Sequence, residues 1–77
     1  MMSTVDRFFE AYDQLSAKGL TKAGFCREIG VDRRNFTKQQ ADHSRRILKV
    51  EWLEAMVLGH GVSADWLLTG RGPIFTE

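Results

Sequence analysis

Two arginines stand at the start of a predicted helix, where a helix built only for stability would carry acidic residues. Arg33 and Arg34 directly follow Asp32, whose residue type commonly caps helices. Cations at this end oppose the helix dipole and cost roughly 0.3 to 1 kcal/mol each at low salt. A guanidinium group can donate two hydrogen bonds to O6 and N7 of guanine. The position therefore indicates contact with base edges, and the alternative is solvated surface charge.

The charge of the chain is unevenly distributed, although the net charge is only +1. Residues 18–50 hold nine Lys or Arg against three Asp or Glu. The flanking segments 1–17 and 51–77 hold one Arg each, against three and four acidic residues respectively. A basic centre between acidic ends is typical of a surface that binds a polyanion. The count alone fits solvated helix faces equally well.

The spacing of apolar residues predicts one all-α domain of five helices over residues 1–77. Apolar residues recur from Val5 to Leu15 with the period of a helix, and Ser3 with Asp6 forms a capping-box pattern before them. Capping residues or closing glycines delimit the other helices. The five predicted helices cover residues 3–18, 21–29, 32–40, 49–59 and 63–69, with a loop at 41–47 and a tail at 71–77.

The second and third predicted helices form a helix-turn-helix unit at about residues 21–40. Cys26 precedes the turn residue Gly30 by four positions, and Phe36 follows it by six. The small side chain lets the two helices approach closely, the glycine permits a left-handed turn, and Phe36 ties the third helix to the core. This spacing, with flanking helices of fitting length, is a stronger signal than two short helices around a glycine.

On these residues the chain resembles the lambda-repressor-like (Cro/CI, or XRE) family, and within it the N-terminal domain of phage CI repressors. The matching stretches are FCREIGV at 25–31, ILKVEWL at 47–53 and GVSADWLLTG at 61–70. The resemblance extends from Phe8 to Phe75. It implies a five-helix fold whose third helix reads the major groove, and dimers that bind paired half-sites on double-stranded DNA.

The resemblance also implies roles for individual residues. The positions that contact base edges hold Arg33, Arg34, Thr37 and Lys38. The positions that contact phosphates, at the start of the second helix and in the loop after the third, hold Thr21, Lys22, Arg45 and Arg46. The base-contacting face is expected to lie opposite Asn35, Phe36 and Gln39, and His43 is expected to be a solvated loop residue.

We expect the domain to act as a homodimer, because one helix in one groove buries too little surface to select a single genomic site. The C-terminal end is the expected self-contact surface, since Leu58 points away from the apolar face of its helix and Ile74 and Phe75 have no assigned core position. The alternative is that Ile74 and Phe75 fold back on the first helix. The apolar face of the fourth helix is expected to consist of Leu53, Met56, Val57 and His60.

The residue types argue against other function classes. No paired carboxylates or phosphate-binding glycine loop indicates an enzyme, and no metal or other cofactor is expected, because one Cys and two His do not form a zinc site. Cys26 is expected to be a buried packing residue. The lone cysteine and the absence of an export signal or membrane-length apolar run favour the cytoplasm and no membrane partner. The leading hypothesis is a sequence-specific DNA binder, a phage-type transcriptional repressor. The alternatives are a helix-turn-helix protein-interaction module and, third, an RNA binder.

Overall fold

A computed structural model describes residues 2–45 and 48–76, which form five α-helices. Their bounds are α1 Thr4–Ala17, α2 Lys22–Ile29, α3 Arg33–Ala41, α4 Val50–Glu54 and α5 Ala64–Thr69. A short 3-10 helix, His43–Arg45, follows α3, and a π-helical turn, Ala55–Gly59, continues α4. Extended pairing in the described ranges is limited to one isolated bridge between Val62 and Phe75. Across those same ranges, no helix combines the length and apolarity that crossing a bilayer requires.

Local side-chain caps begin the helices where the sequence predicts them. Ser3 and Asp6 form the complete capping box of α1, with hydrogen bonds of 3.1 and 2.9 Å in the two directions. The side chains of Thr21, Asp32 and Ser63 accept hydrogen bonds from backbone N–H groups at the starts of α2, α3 and α5. Each cap satisfies a donor that the helix itself leaves without a partner. The predicted starts of α1, α2, α3 and α5 are therefore confirmed, whereas α4 begins without a side-chain cap.

The turn between α2 and α3 is made by Gly30 in the left-handed conformation, with φ of 70°. The backbone N–H groups of Gly30 and Val31 both donate to the carbonyl of Cys26, which closes α2. A side chain at this φ would clash with its own backbone, so glycine is the residue that permits so sharp a turn. Cys26 is buried at this junction, as predicted, and burial raises the pKa of its thiol.

An aromatic cluster in the core fixes the position of α3. Phe36 is fully buried, and its ring lies 5.1 to 6.5 Å from five other aromatic rings. Those rings belong to Phe8, Phe9, Tyr12, Phe25 and Trp52. Truncating such a residue to alanine typically costs about 3 to 5 kcal/mol. Phe36 is thus the anchor that leaves the opposite side of α3 facing solvent.

The inner face of α4 differs from the predicted one. Trp52 and Met56 are buried in the core, whereas Leu53 and Val57 are only partly buried. Trp52 and Met56 are four residues apart and so lie on one side of the helix, and Leu53 and Val57 each lie one position further round it. His60 lies beyond the helix, where its Nε2 is 3.0 Å from Oε1 of Glu28 on α2.

The C-terminal tail packs on its own domain. Ile74 and Phe75 are half-buried against the core, and the Ile74 carbonyl accepts a 2.7 Å hydrogen bond from the N–H of Ser63. The ammonium of Lys18, at the end of α1, lies 4.1 Å from the centre of the Phe75 ring. Of the two arrangements left open by the sequence, the structure shows the tail folded back, so Ile74 and Phe75 do not form a free self-contact surface.

Candidate nucleic-acid interface

A shallow cleft of about 530 Å³ lies between the first residue of α2 and the N-terminal half of α3. Its lining residues are Lys22, Asp32, Arg33, Arg34, Thr37 and Lys38, and we call this set the recognition surface. Four of the six side chains are cationic and one is anionic. The helix-turn-helix geometry thus collects positive charge from two helices on one side of the domain, as a surface for a polyanion requires.

The four predicted base-contacting residues all belong to this surface. Arg33, Arg34, Thr37 and Lys38 are exposed, and no side-chain ion pair engages any of them within the described part of the chain. On the opposite side of α3, Phe36 and Gln39 are buried as expected. Asn35 was expected beside them, but it is exposed because its position falls on the flank of the helix.

The start of α3 is stabilised by Asp32 despite its two arginines. The Asp32 carboxylate accepts a hydrogen bond of 3.2 Å from the backbone N–H of Arg34. A negative charge at this end also favours the helix dipole, which Arg33 and Arg34 oppose. The cap therefore lets the helix begin with two cations that point outward.

Thr21 and Lys22, predicted to contact phosphates, begin α2 beside the middle of α3. The Thr21 hydroxyl oxygen accepts a 3.1 Å hydrogen bond from the N–H of Gly24. A Cβ atom on Gly24 would lie only 2.9 Å from that oxygen, so a larger residue there would require the Thr21 hydroxyl to shift. Lys22 is half-buried, and its ammonium donates a 3.1 Å hydrogen bond to the hydroxyl of Thr37. No pattern in the sequence indicated this link between the predicted phosphate and base positions.

Of the two loop arginines predicted to contact phosphates, the structure describes only the backbone of Arg45. Arg45 closes the short 3-10 helix after α3. The side chain of Arg45 and the whole of Arg46 lie outside the described residues, so their predicted phosphate contacts stay predictions.

His43 is held by α1, contrary to its expected place in solvent. Its Nδ1 lies 2.5 Å from Oδ1 of Asp6, and its ring stacks on Phe9 with centroids 5.0 Å apart. The pKa of Asp6 is lowered from 3.8 to about 2, chiefly by the hydrogen bond from the Ser3 backbone and then by the one with His43. Asp6, which completes the capping box of α1, thus also contacts the short 3-10 helix that follows α3.

A second surface, between α4 and α5, is apolar. A groove of about 290 Å³ lies there, and two of its leucines are largely exposed, Leu58 at 82% and Leu68 at 58%. We call this the apolar groove. Its lining residues are Val50, Leu53, Glu54, Val57, Leu58, Ala64, Leu67 and Leu68. The exposed position of Leu58 was predicted. For α5, only its location at the C-terminal end, the expected self-contact surface, was predicted.

Arg7, which the sequence presented only as one charge of the first helix, is buried and holds α5 in place. Its Nε donates to the carbonyl of Leu67 at 2.8 Å, and a terminal nitrogen donates to that of Leu68 at 3.0 Å. A further bond of 2.7 Å reaches the carbonyl of Met2. The guanidinium thus pairs with the carbonyl end of a helix, where the dipole favours a cation.

Comparison of the chain with protein-family models, curated proteins and solved structures finds no match. The resemblance to the lambda-repressor-like family therefore stays a prediction from the quoted residues. Within residues 2–45 and 48–76, no three His, Cys, Asp or Glu side chains are grouped as a metal site would require.

Proposed function

We propose that the chain is a sequence-specific double-stranded DNA-binding domain of the lambda-repressor-like type, serving as a phage-type transcriptional repressor. The observation that supports it most is the two-sided α3. Phe36 anchors one side in the core, and the other presents Arg33, Arg34 and Lys38 to solvent. A helix of nine residues fits the major groove, and exposed arginines in its first turn are within reach of base edges.

The distribution of charge separates this function from a pure protein-interaction module. Protein interfaces have apolar or aromatic side chains at their centre. The recognition surface has none, since its only uncharged lining residue is Thr37. RNA binding by base stacking is disfavoured for the same reason, because the surface offers no aromatic side chain. A polyanion with readable hydrogen-bonding edges is the partner that fits best.

The apolar groove supports the second part of the proposal, a homodimer on paired half-sites. A single DNA-binding module buries roughly 600 to 1,000 Å² of protein surface, and a pair doubles that contact. Leu58 and Leu68 are exposed apolar side chains on a face separate from the recognition surface. We expect two such faces to contact each other, so that the two copies of α3 read half-sites about 34 to 36 Å apart or a multiple of that.

The direct test is selection of bound duplexes from a random library, followed by fluorescence-anisotropy titration of the selected sequence. We expect a preferred sequence bound about a thousandfold or more above random DNA at physiological salt. The matched control is the Arg33→Ala/Arg34→Ala double variant, which retains the fold and loses the preference. A folded wild-type domain that enriches no sequence would refute the proposal.

A further inference from the structure

The hydrogen bond between Lys22 and Thr37 joins the two helices of the recognition surface. The residues are fifteen apart in sequence, and the ammonium Nζ lies 3.1 Å from the hydroxyl oxygen. Lysine has only donors, so the threonine oxygen must be the acceptor. The hydroxyl hydrogen is therefore turned away from Lys22.

This bond changes what Thr37 offers to a ligand. A free hydroxyl donates or accepts equally well. Here one lone pair is already used, and the ammonium charge withdraws electron density from the oxygen. Hydrogen bonds in such a chain polarise one another, so donation by the hydroxyl is strengthened and further acceptance is weakened. Thr37 thus presents mainly a donor.

The other outward side chains of the recognition surface have the same polarity. Arg33, Arg34 and Lys38 carry donors and no acceptors. The acidic residue, Asp32, is the exception, and one of its two carboxylate oxygens, Oδ1, caps α3. Among the four bases, guanine is the one whose major-groove edge shows two acceptors and no donor, whereas adenine and cytosine each present an amino donor.

Resting on the proposed function, we infer that the Lys22–Thr37 pair makes the recognition surface selective for guanine-bearing, acceptor-rich edges of the major groove. Lys22 acts as a positioning residue in this role, because it works through the hydroxyl of Thr37. Its assignment as a simple phosphate contact predicts a different result, which makes the two roles separable.

The experiment measures the affinity of the domain for its selected duplex and for duplexes with each base pair replaced in turn. We expect guanine to be preferred at adjacent positions of the half-site, by about fivefold or more at each arginine contact. At the position read by Thr37, replacing guanine with 7-deazaguanine removes the N7 acceptor. That change should weaken wild-type binding about three- to tenfold and leave the Thr37→Val variant unaffected.

A double-mutant comparison tests the role of Lys22. If the pair acts as a unit, Lys22→Met loses the guanine preference at the Thr37 position, and Lys22→Met/Thr37→Val loses no more of it than Thr37→Val alone. The control Lys38→Met removes one charge from the same surface and lowers affinity, but keeps that preference. Circular dichroism of each variant confirms that it is folded.

Three results would overturn the inference. The first is a uniform loss of affinity for all four base pairs in Lys22→Met, with the log–log salt slope reduced by about 0.9, because that describes a phosphate contact. The second is a selected half-site without guanine, which would contradict the guanine selectivity but still support the proposed DNA-binding function. The third is failure to enrich any duplex, which removes the proposed function and this inference with it.

Discussion

Replacing the first-turn arginines of α3 should change stability and DNA affinity in opposite directions. Arg33 and Arg34 are exposed, and both oppose the helix dipole. Alanine removes that repulsion and has the highest helix propensity. The free energy of unfolding of each single Arg→Ala variant should therefore be about 0.3 to 1 kcal/mol higher than that of the wild type at low salt.

The same variants should bind the selected operator more weakly. Loss of a bidentate contact with guanine costs about 1 to 3 kcal/mol, a five- to 150-fold rise in Kd. For a domain of this size the added stability corresponds to a Tm higher by about 1 to 8 °C. Thermal unfolding and anisotropy at one fixed salt concentration measure both quantities on the same samples.

The opposite signs separate a binding role from a structural one. If Arg33 or Arg34 supports the fold, its variant loses stability and affinity together. If the arginines are only solvated charge, stability rises while operator affinity stays unchanged in both variants. Either result would refute the assignment of these residues to base contacts.

Three further predictions concern other parts of the domain. Arg7→Met leaves the carbonyls at the end of α5 without their donor and should lower the free energy of unfolding in urea by about 2 to 5 kcal/mol. An unchanged urea midpoint would show that the Arg7 hydrogen bonds do not stabilise the fold. The pKa of Asp6 falls from 3.8 to about 2 on folding, so its stabilisation is complete above about pH 4 and is lost as pH falls to about 2. The free energy of unfolding, measured at pH 5 and pH 2, should therefore fall less in Asp6→Asn than in the wild type. An identical fall in both proteins would contradict the role of the Asp6 carboxylate. Leu58→Lys changes a residue that is 82% exposed, so it should keep the fold but convert a two-to-one complex with paired half-sites to one-to-one in sedimentation, and a wild-type one-to-one complex on a non-repeated site would defeat the dimer.

The sequence alone determined the helices and the side of α3 that faces solvent. Caps such as Ser3 and Asp32 act on N–H groups two or three residues away, so their pattern is readable without tertiary structure. The turn at Gly30 and the burial of Phe36 follow from equally local rules of backbone sterics and helical period. The helical period also places Arg33, Arg34, Thr37 and Lys38 on one face, whereas their base-contacting role is implied by the resemblance.

Tertiary structure decided which side chains meet across helices. The bond from Lys22 to Thr37 spans fifteen residues and that from His43 to Asp6 spans thirty-seven, so neither follows from a helical period. The burial of Arg7 likewise depends on α5 ending above α1, sixty residues away. Helix packing sets these contacts, because the distances between elements depend on how their side chains fill the shared core. The sequence thus specified a cationic face, and the packing of α2 against α3 specified the hydrogen-bond polarity with which that face is presented.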